Sequence, residues 1–306
     1  MSESLSKILK KVDALSIRTR HLASDLLSGS YQSAFKGQGM DFEEVRAYIP
    51  GDDVRFIDWN VTAKMDRPFI KVYREERELT LFLCIDLSAS GEFGSGNQSK
   101  RELMAEIASV LAFSAIQNND KIGLILFTDQ IEKMVPARKG RRQVLRLVRD
   151  ILYHQPQNCR TDFAIPLQYL RRIQKRKAVV FFISDFLQDQ SGKPLELGSP
   201  AQARLLMRFK QTKQLHDLIC LSVNDPREEA IPDVGDLTLQ DLETGELVSL
   251  PTGKSAFREA FRKKSLERIA QNQKAFRKAG IDLIPLITDQ PYAQTLRNFF
   301  QKRPGR

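Results

Sequence analysis

Apolar residues in this chain follow two alternating patterns. One consists of short, near-continuous runs, TLFLCID, KIGLILF, AVVFFIS, DLICLSV and IDLIPLI, with a weaker run IEKMVPA beside the second. The other consists of longer stretches, 101–117, 140–153, 163–174, 200–213 and 254–279, in which apolar positions recur at helical spacing. Apolar strands separated by helices mark a mostly parallel sheet covered on both faces. The expected fold is therefore α/β, three-layered and doubly wound. Residues that bind something in such a fold lie just beyond the carboxyl ends of the strands.

The N-terminal part reads differently. Leu5, Ile8, Val12, Leu15, Leu22 and Leu26 keep a three-four spacing interrupted only at Thr19, which predicts one amphipathic helix over 3–27 packed on the protein's own body. Glycines, short alternating runs and the turn Pro50-Gly51-Asp52-Asp53 then predict a small β-rich module. The expected division is a helix at 1–28, the module at 29–78, the α/β body at 79–290, and a C-terminal helix with a basic tail at 291–306. Glu44, Arg46, Asp52, Asp53, Arg55, Asp58 and Lys64 crowd around Trp59, the single tryptophan, and are expected to pair as struts that hold the module against the sheet, an interaction surface being the alternative.

Composition narrows the function classes. The 306 residues, 42% of them hydrophobic, suffice for one full core plus an attached module. No run approaches the ~20 apolar residues of a membrane span, and the first residues lack the apolar stretch of a signal peptide, so a cytoplasmic location is expected. Cys84 and Cys220 fall inside strand-like runs and Cys159 stands apart, which argues against a disulfide framework; three scattered histidines exclude a zinc ribbon. The net charge of +10 comes largely from ARKGRRQVLRLVR, RRIQKRK and FREAFRKK. These are accounted for as solvated faces of amphipathic helices, and nucleic-acid binding is not expected.

The strand ends carry the chemistry. Asp86-Leu87-Ser88-Ala89-Ser90 follows LFLCI, Ser184-Asp185-Phe186 follows AVVFFI, and Asn158-Cys159-Arg160-Thr161-Asp162 precedes the helix at 163–174. Hydroxyls and carboxylates from three loops thus converge on one rim. Magnesium takes near-octahedral oxygen ligation and keeps several waters, so Asp86, Ser88, Ser90, Thr161 and Asp185 would form an incomplete cage able to accept one more carboxylate. A lone DxSxS arises by chance in roughly 5% of chains this long; its place after a buried strand separates it from that background. The competing explanation is capping, with Ser88 and Ser90 serving the helix at 101–117 and Asp185 the helix after it.

DLSAS, Thr161 and the aspartate of FFISDF resemble the metal-ion-dependent adhesion site of von Willebrand factor A domains. By that resemblance Ser88, Ser90 and Thr161 touch a Mg2+ ion, or Mn2+ in its place, directly, while Asp86 and Asp185 act directly or through water. Gly91 stands where many A-type domains carry methionine. The upstream stretch GMDFEEVRAYIPGDDVRFIDWNVTAKMDRPFIKVYREERE resembles the signature of the domain-of-unknown-function 58 family, which joins such a module to an A-type domain; the resemblance runs from about Ser16 to Leu286. It implies a noncatalytic adaptor or chaperone component that works with a MoxR-type AAA+ ATPase, or with a protein client offering an Asp or Glu.

Catalytic motifs fail. A phosphate-binding loop would need glycine where Val248 stands, or lysine where Asn97 stands. An aspartyl-phosphate enzyme would need a second carboxylate where Ser88 stands. No GxSxG elbow is present, and His21, His154 and His216 have no visible orienting partner. A metal-dependent hydrolase or nuclease using the same rim is the alternative, although no general base is evident there. Assembly through the Leu5 to Leu26 stripe is a third reading.

Overall fold

The computed structural model describes residues 39–65, 67–76, 78–96, 98–187, 199–240 and 247–303, together with Thr19, Leu22 and Ala23. Those three residues are helical, and Ala23 is fully buried in the core; the rest of the helix expected at 3–27 lies outside the described residues.

The small module consists of an antiparallel pair, β1 (Gly39–Ala47) and β2 (Phe69–Glu76), linked through a 3-10 turn at Val54–Phe56 and a helical turn at Trp59–Thr62. Among the described residues, the charged side chains around Trp59 pair inside the module and not with the six-stranded sheet that they were expected to brace it against. Arg46 grips both carboxylate oxygens of Asp52 at 2.8 Å, Arg55 pairs with Asp53 at 2.6 Å, and Lys71 lies 3.5 Å from Asp58. Asp58 also caps the turn by accepting from the Asn60 and Val61 amides. Trp59 itself is 70% exposed, so the charges around it are not a wall for a buried indole.

The body is a six-stranded sheet in the order β10-β7-β6-β3-β4-β5. Its strands are β3 (Thr80–Asp86), β4 (Lys121–Phe127), β5 (Ile131–Arg138), β6 (Val179–Ser184), β7 (Asp217–Asn224) and β10 (Asp282–Ile287). All neighbours are parallel except β5, which runs antiparallel to β4 at the edge and carries Pro136 and charged residues that blunt it. A separate antiparallel pair, β8 (Asp236–Gln240) and β9 (Leu247–Pro251), stands outside this sheet; residues 241–246 between the two strands lie outside the described residues.

Period-two alternation explains the two-sided burial. In β3, Leu81, Leu83 and Ile85 enter one core and Phe82 and Cys84 the other. The first core includes residues of α1 (Lys100–Gln117), α2 (Arg141–Tyr153) and α6 (Tyr292–Lys302). The second includes residues of α3 (Ala164–Ile173), α4 (Pro200–Leu215) and α5 (Ser255–Lys278). Helix α1 is buried along most of its length, which is why its sequence shows little amphipathic contrast.

Strand order reverses at β3, which lies between β4 and β6, so the carboxyl ends of β3 and β6 border a crevice at the topological switch point. Phenylalanines fix the backbone there. Phe186 occupies the left-handed region at φ 53° and is wedged against Phe163, Phe182, Phe209 and Phe276 at centroid distances of 5.3 to 6.1 Å. A bulky residue in that conformation needs such enforcement.

Candidate functional site

Asp86 ends β3 and is 3% exposed. Its Oδ1 accepts from the Ser88 amide at 2.9 Å, and its Oδ2 accepts from the Ser184 hydroxyl at 2.7 Å and the Thr161 hydroxyl at 3.1 Å. The Ser88 and Ser90 hydroxyls lie 3.1 Å apart. One chain of contacts therefore joins Asp86, Ser88, Ser90 and Thr161, while Asp185, next in sequence to Ser184, is held by Lys100 and the Leu187 amide. The loops are also tied through their backbones: the Ala89 amide donates to the Cys159 carbonyl and the Asp162 amide to the Thr128 carbonyl.

For Ser88 and Ser90 the capping explanation does not survive; for Asp185 the segment 188–198 that it would cap lies outside the described residues. Helix α1 is capped by Ser99, whose side chain accepts from the Glu102 amide while the Glu102 carboxylate accepts from the Ser99 amide. Ser88 and Ser90 are left for the rim. Thr161 points to Asp86, and the Ala164 amide at the start of α3 is satisfied by Asp162 instead. Asp185 accepts from the Leu187 amide two residues on, while α4 is capped by Ser199.

Three further residues belong to the site. Ser184, in the last position of β6, is fully buried and gives Asp86 its shortest hydrogen bond. Lys100, the first residue of α1, has no exposed side-chain surface, and its Nζ donates to Asp185 at 2.7 Å and to Glu228 at 2.6 Å. Glu228 sits in the helical turn Pro226–Glu229 that follows β7. The rule that strand ends hold the site extends to the Asp225-Pro226-Arg227-Glu228 stretch, but nothing local distinguishes Lys100 from the many solvated lysines of a basic chain.

The two rim carboxylates experience opposite fields. For Asp86, burial first and the neighbouring Asp185 charge second push the carboxyl up to about 6, against the hydrogen bonds from Ser88 and Ser184. For Asp185, burial acts in the same upward sense, but the Lys100 ammonium and the hydrogen bonds from Lys100 and Leu187 outweigh it and hold the carboxyl below the usual range. Lys100 stays charged: burial opposes its charge, and Asp185 and Glu228 overcome that opposition. Asp86 is thus a buried carboxylate with no protein cation beside it among the described residues.

This donor set suits a hard divalent cation. It offers hydroxyl and carboxylate oxygens and no sulfur or imidazole, the preference of Mg2+ and Mn2+. The charges agree, because Asp86, Asp185 and Glu228 against Lys100 leave a formal charge of −2 when all are ionised. Among the described residues no three His, Cys, Asp or Glu side chains are placed to hold a metal ion by themselves, so an ion here would depend on the serine and threonine oxygens and on water. His154 faces Glu132 at 3.6 Å, and His216 is held below its ordinary value by burial and by Arg171. His21 lies outside the described residues.

Comparison with known proteins gives the family. The uncharacterized protein Rv1480 of Mycobacterium tuberculosis is 29% identical over 299 residues, covering 97% of this chain and 90% of its own length, and Mb1516 of Mycobacterium bovis matches equally. Among solved structures, the conserved hypothetical protein BatB from Bacteroides thetaiotaomicron aligns with a TM-score of 0.43 at 14% identity, over 73% of this chain and 96% of that one. The SpRpn10 VWA domain aligns with a TM-score of 0.38 at 13% identity, over 72% of this chain and 93% of its own. Residues 44–271 match the family described as protein of unknown function DUF58, and the chain belongs to that family.

Proposed function

We propose that this protein is a noncatalytic adaptor that grips an acidic side chain of a partner through a Mg2+ ion, or Mn2+ in its place, held on the Asp86, Ser88, Ser90, Thr161 and Asp185 rim. The observation that carries the reading is the Asp86 environment: a buried carboxylate, fixed by three hydrogen bonds, with hydroxyls around it and no protein cation to balance it. Such a group is costly to hold ionised unless a cation joins it.

Bound there, the ion supplies a Lewis-acidic, positively charged contact for an incoming carboxylate. The chain's own residues do the rest. Ser88, Ser90 and Thr161 present hydroxyl oxygens, Ser184 and the Ser88 amide keep Asp86 oriented, and Lys100 keeps Asp185 ionised and in place. The resemblance noted from the sequence supports a MoxR-type AAA+ ATPase, or a client offering an Asp or Glu, as the partner, with the cytoplasm as the place of action; no helix among the described residues is long and apolar enough to cross a membrane.

The test is a pull-down from native lysate with wild type and Asp86→Ala, each in magnesium and in chelator, with melting curves to confirm that the variant folds. Retention of an AAA+ ATPase or a defined client by wild type in magnesium alone is expected. The same proteins in all four samples, or none in any, would refute the reading.

A further inference from the structure

We infer that Lys100 is a specificity residue of the rim, a built-in cation that holds Asp185 back from the divalent ion and so loosens the site's intrinsic grip on it. The inference rests on the metal reading above and deepens it, giving the residue that positions Asp185 an opposing effect on ion affinity.

Geometry supports it in three steps. First, Lys100 is wholly buried, and a lysine is buried only where anions repay its lost hydration. Its Nζ spans Asp185 and Glu228 at 2.7 and 2.6 Å, so Asp185 already has a cation on Oδ2 and an amide hydrogen bond from Leu187 on Oδ1. Second, the arrangement is braced. Glu228 accepts through its other oxygen from the Asp225 amide at 2.9 Å, and Asp225 accepts from the Ser95 hydroxyl at 2.5 Å and the Thr288 hydroxyl at 2.8 Å. Loops after β3, β7 and β10 therefore hold the ammonium where it is. Third, Asp185 directly follows Ser184, whose hydroxyl donates to Asp86 of the metal rim at 2.7 Å, so the carboxylate that Lys100 holds stands beside the rim. The fixed ammonium and a divalent ion thus share a carboxylate neighbour, and like charges at that range repel appreciably.

A plain structural strut and a charge-setting residue predict different outcomes for two variants. Glu228→Gln removes one negative charge while leaving Lys100 on Asp185, so ion binding should weaken by about tenfold. The double variant Lys100→Met with Glu228→Gln removes the ammonium together with one of its carboxylates. The exchange keeps the site's formal charge at that of wild type but leaves the buried Asp185 without its cation, a cost that the bound divalent ion would relieve. Asp185 is then released toward the ion, and binding should tighten by about tenfold or more.

The experiment is calorimetric titration of Mn2+ into the metal-stripped full chain for wild type and both variants, with circular dichroism and melting curves to verify folding. Opposite shifts, weaker for the single variant and tighter for the double, are expected; a strut that merely loosens on mutation would weaken both. Wild type that takes up Mn2+ with both variants unchanged, or both shifted the same way, overturns the role of Lys100 alone. Folded wild type that takes up no Mn2+ overturns the metal reading beneath it as well.

Discussion

Asp86→Asn should make the metal-free protein more stable. Asp86 is buried and its carboxyl is pushed up to about 6 from an ordinary 3.8, by burial and then by the Asp185 charge. A carboxyl whose folded value lies above its unfolded one stabilises the fold fully below the unfolded value, and that contribution is lost as the pH rises through the folded value. At pH 7.5 the ionised group therefore costs the fold about 3 kcal/mol, from two pH units at about 1.4 kcal/mol each. Asparagine keeps an oxygen for the Ser88 amide and offers an amide group to the Thr161 and Ser184 hydroxyls, which can turn to accept. In chelator at pH 7.5 the variant should melt roughly 5–10 °C above wild type, since 1 kcal/mol is worth about 2–4 °C in a domain of this size. The gap should narrow as the pH is lowered toward 5, and added Mg2+ should raise the wild-type melting temperature while leaving the variant's unchanged. A variant equal to or less stable than wild type in chelator at pH 7.5 would refute the reasoning, because the Asp86 charge would then not be an uncompensated burden.

Other substitutions test the scaffold around the rim. Lys100→Ala strands the Asp185 and Glu228 carboxylates and should cost about 3–5 kcal/mol in urea denaturation; a loss below ~1 kcal/mol would show that water replaces the ammonium freely. Gly123→Ala places a Cβ 2.5 Å from the Phe82 ring and 3.1 Å from the Ala137 amide, and should cost about 1–3 kcal/mol by the same assay. Ser99→Ala removes the side-chain half of the α1 cap and should cost about 1 kcal/mol while leaving Mn2+ affinity unchanged. A change in that affinity would mean that the cap and the rim are coupled through Lys100, its neighbour in sequence.

The parts of this protein that were legible in the sequence are those whose cause is local. Two-sided burial makes strands such as Val179–Ser184 continuously apolar, and the DxSxS at the end of β3 stands out because its position follows from the strand before it. The capping alternative for Ser88 and Ser90 could have been set aside from sequence as well, since Ser99 and Glu102 form the spacing of a capping box directly ahead of α1. Lys100 was not legible. Its partners stand 85 and 128 residues away, and only the fold brings them together. Ser184 looked like the last residue of a strand, and its role depends on β6 lying in register beside β3 so that its hydroxyl meets Asp86. Arg46 with Asp52 and Asp58 with its turn make contacts inside the module only, and neither these nor the exposure of Trp59 follow from composition, because both depend on tertiary placement.

The most direct test of the central claim is a crystal structure of the full chain grown in Mn2+, with anomalous scattering recorded at the manganese edge. The account predicts one strong anomalous peak within bonding distance of the Ser88 and Ser90 hydroxyls, with Lys100 still on Asp185. A rim without that peak at millimolar Mn2+, in a protein whose Asp86 is still buried and held by the same three hydrogen bonds, would contradict it.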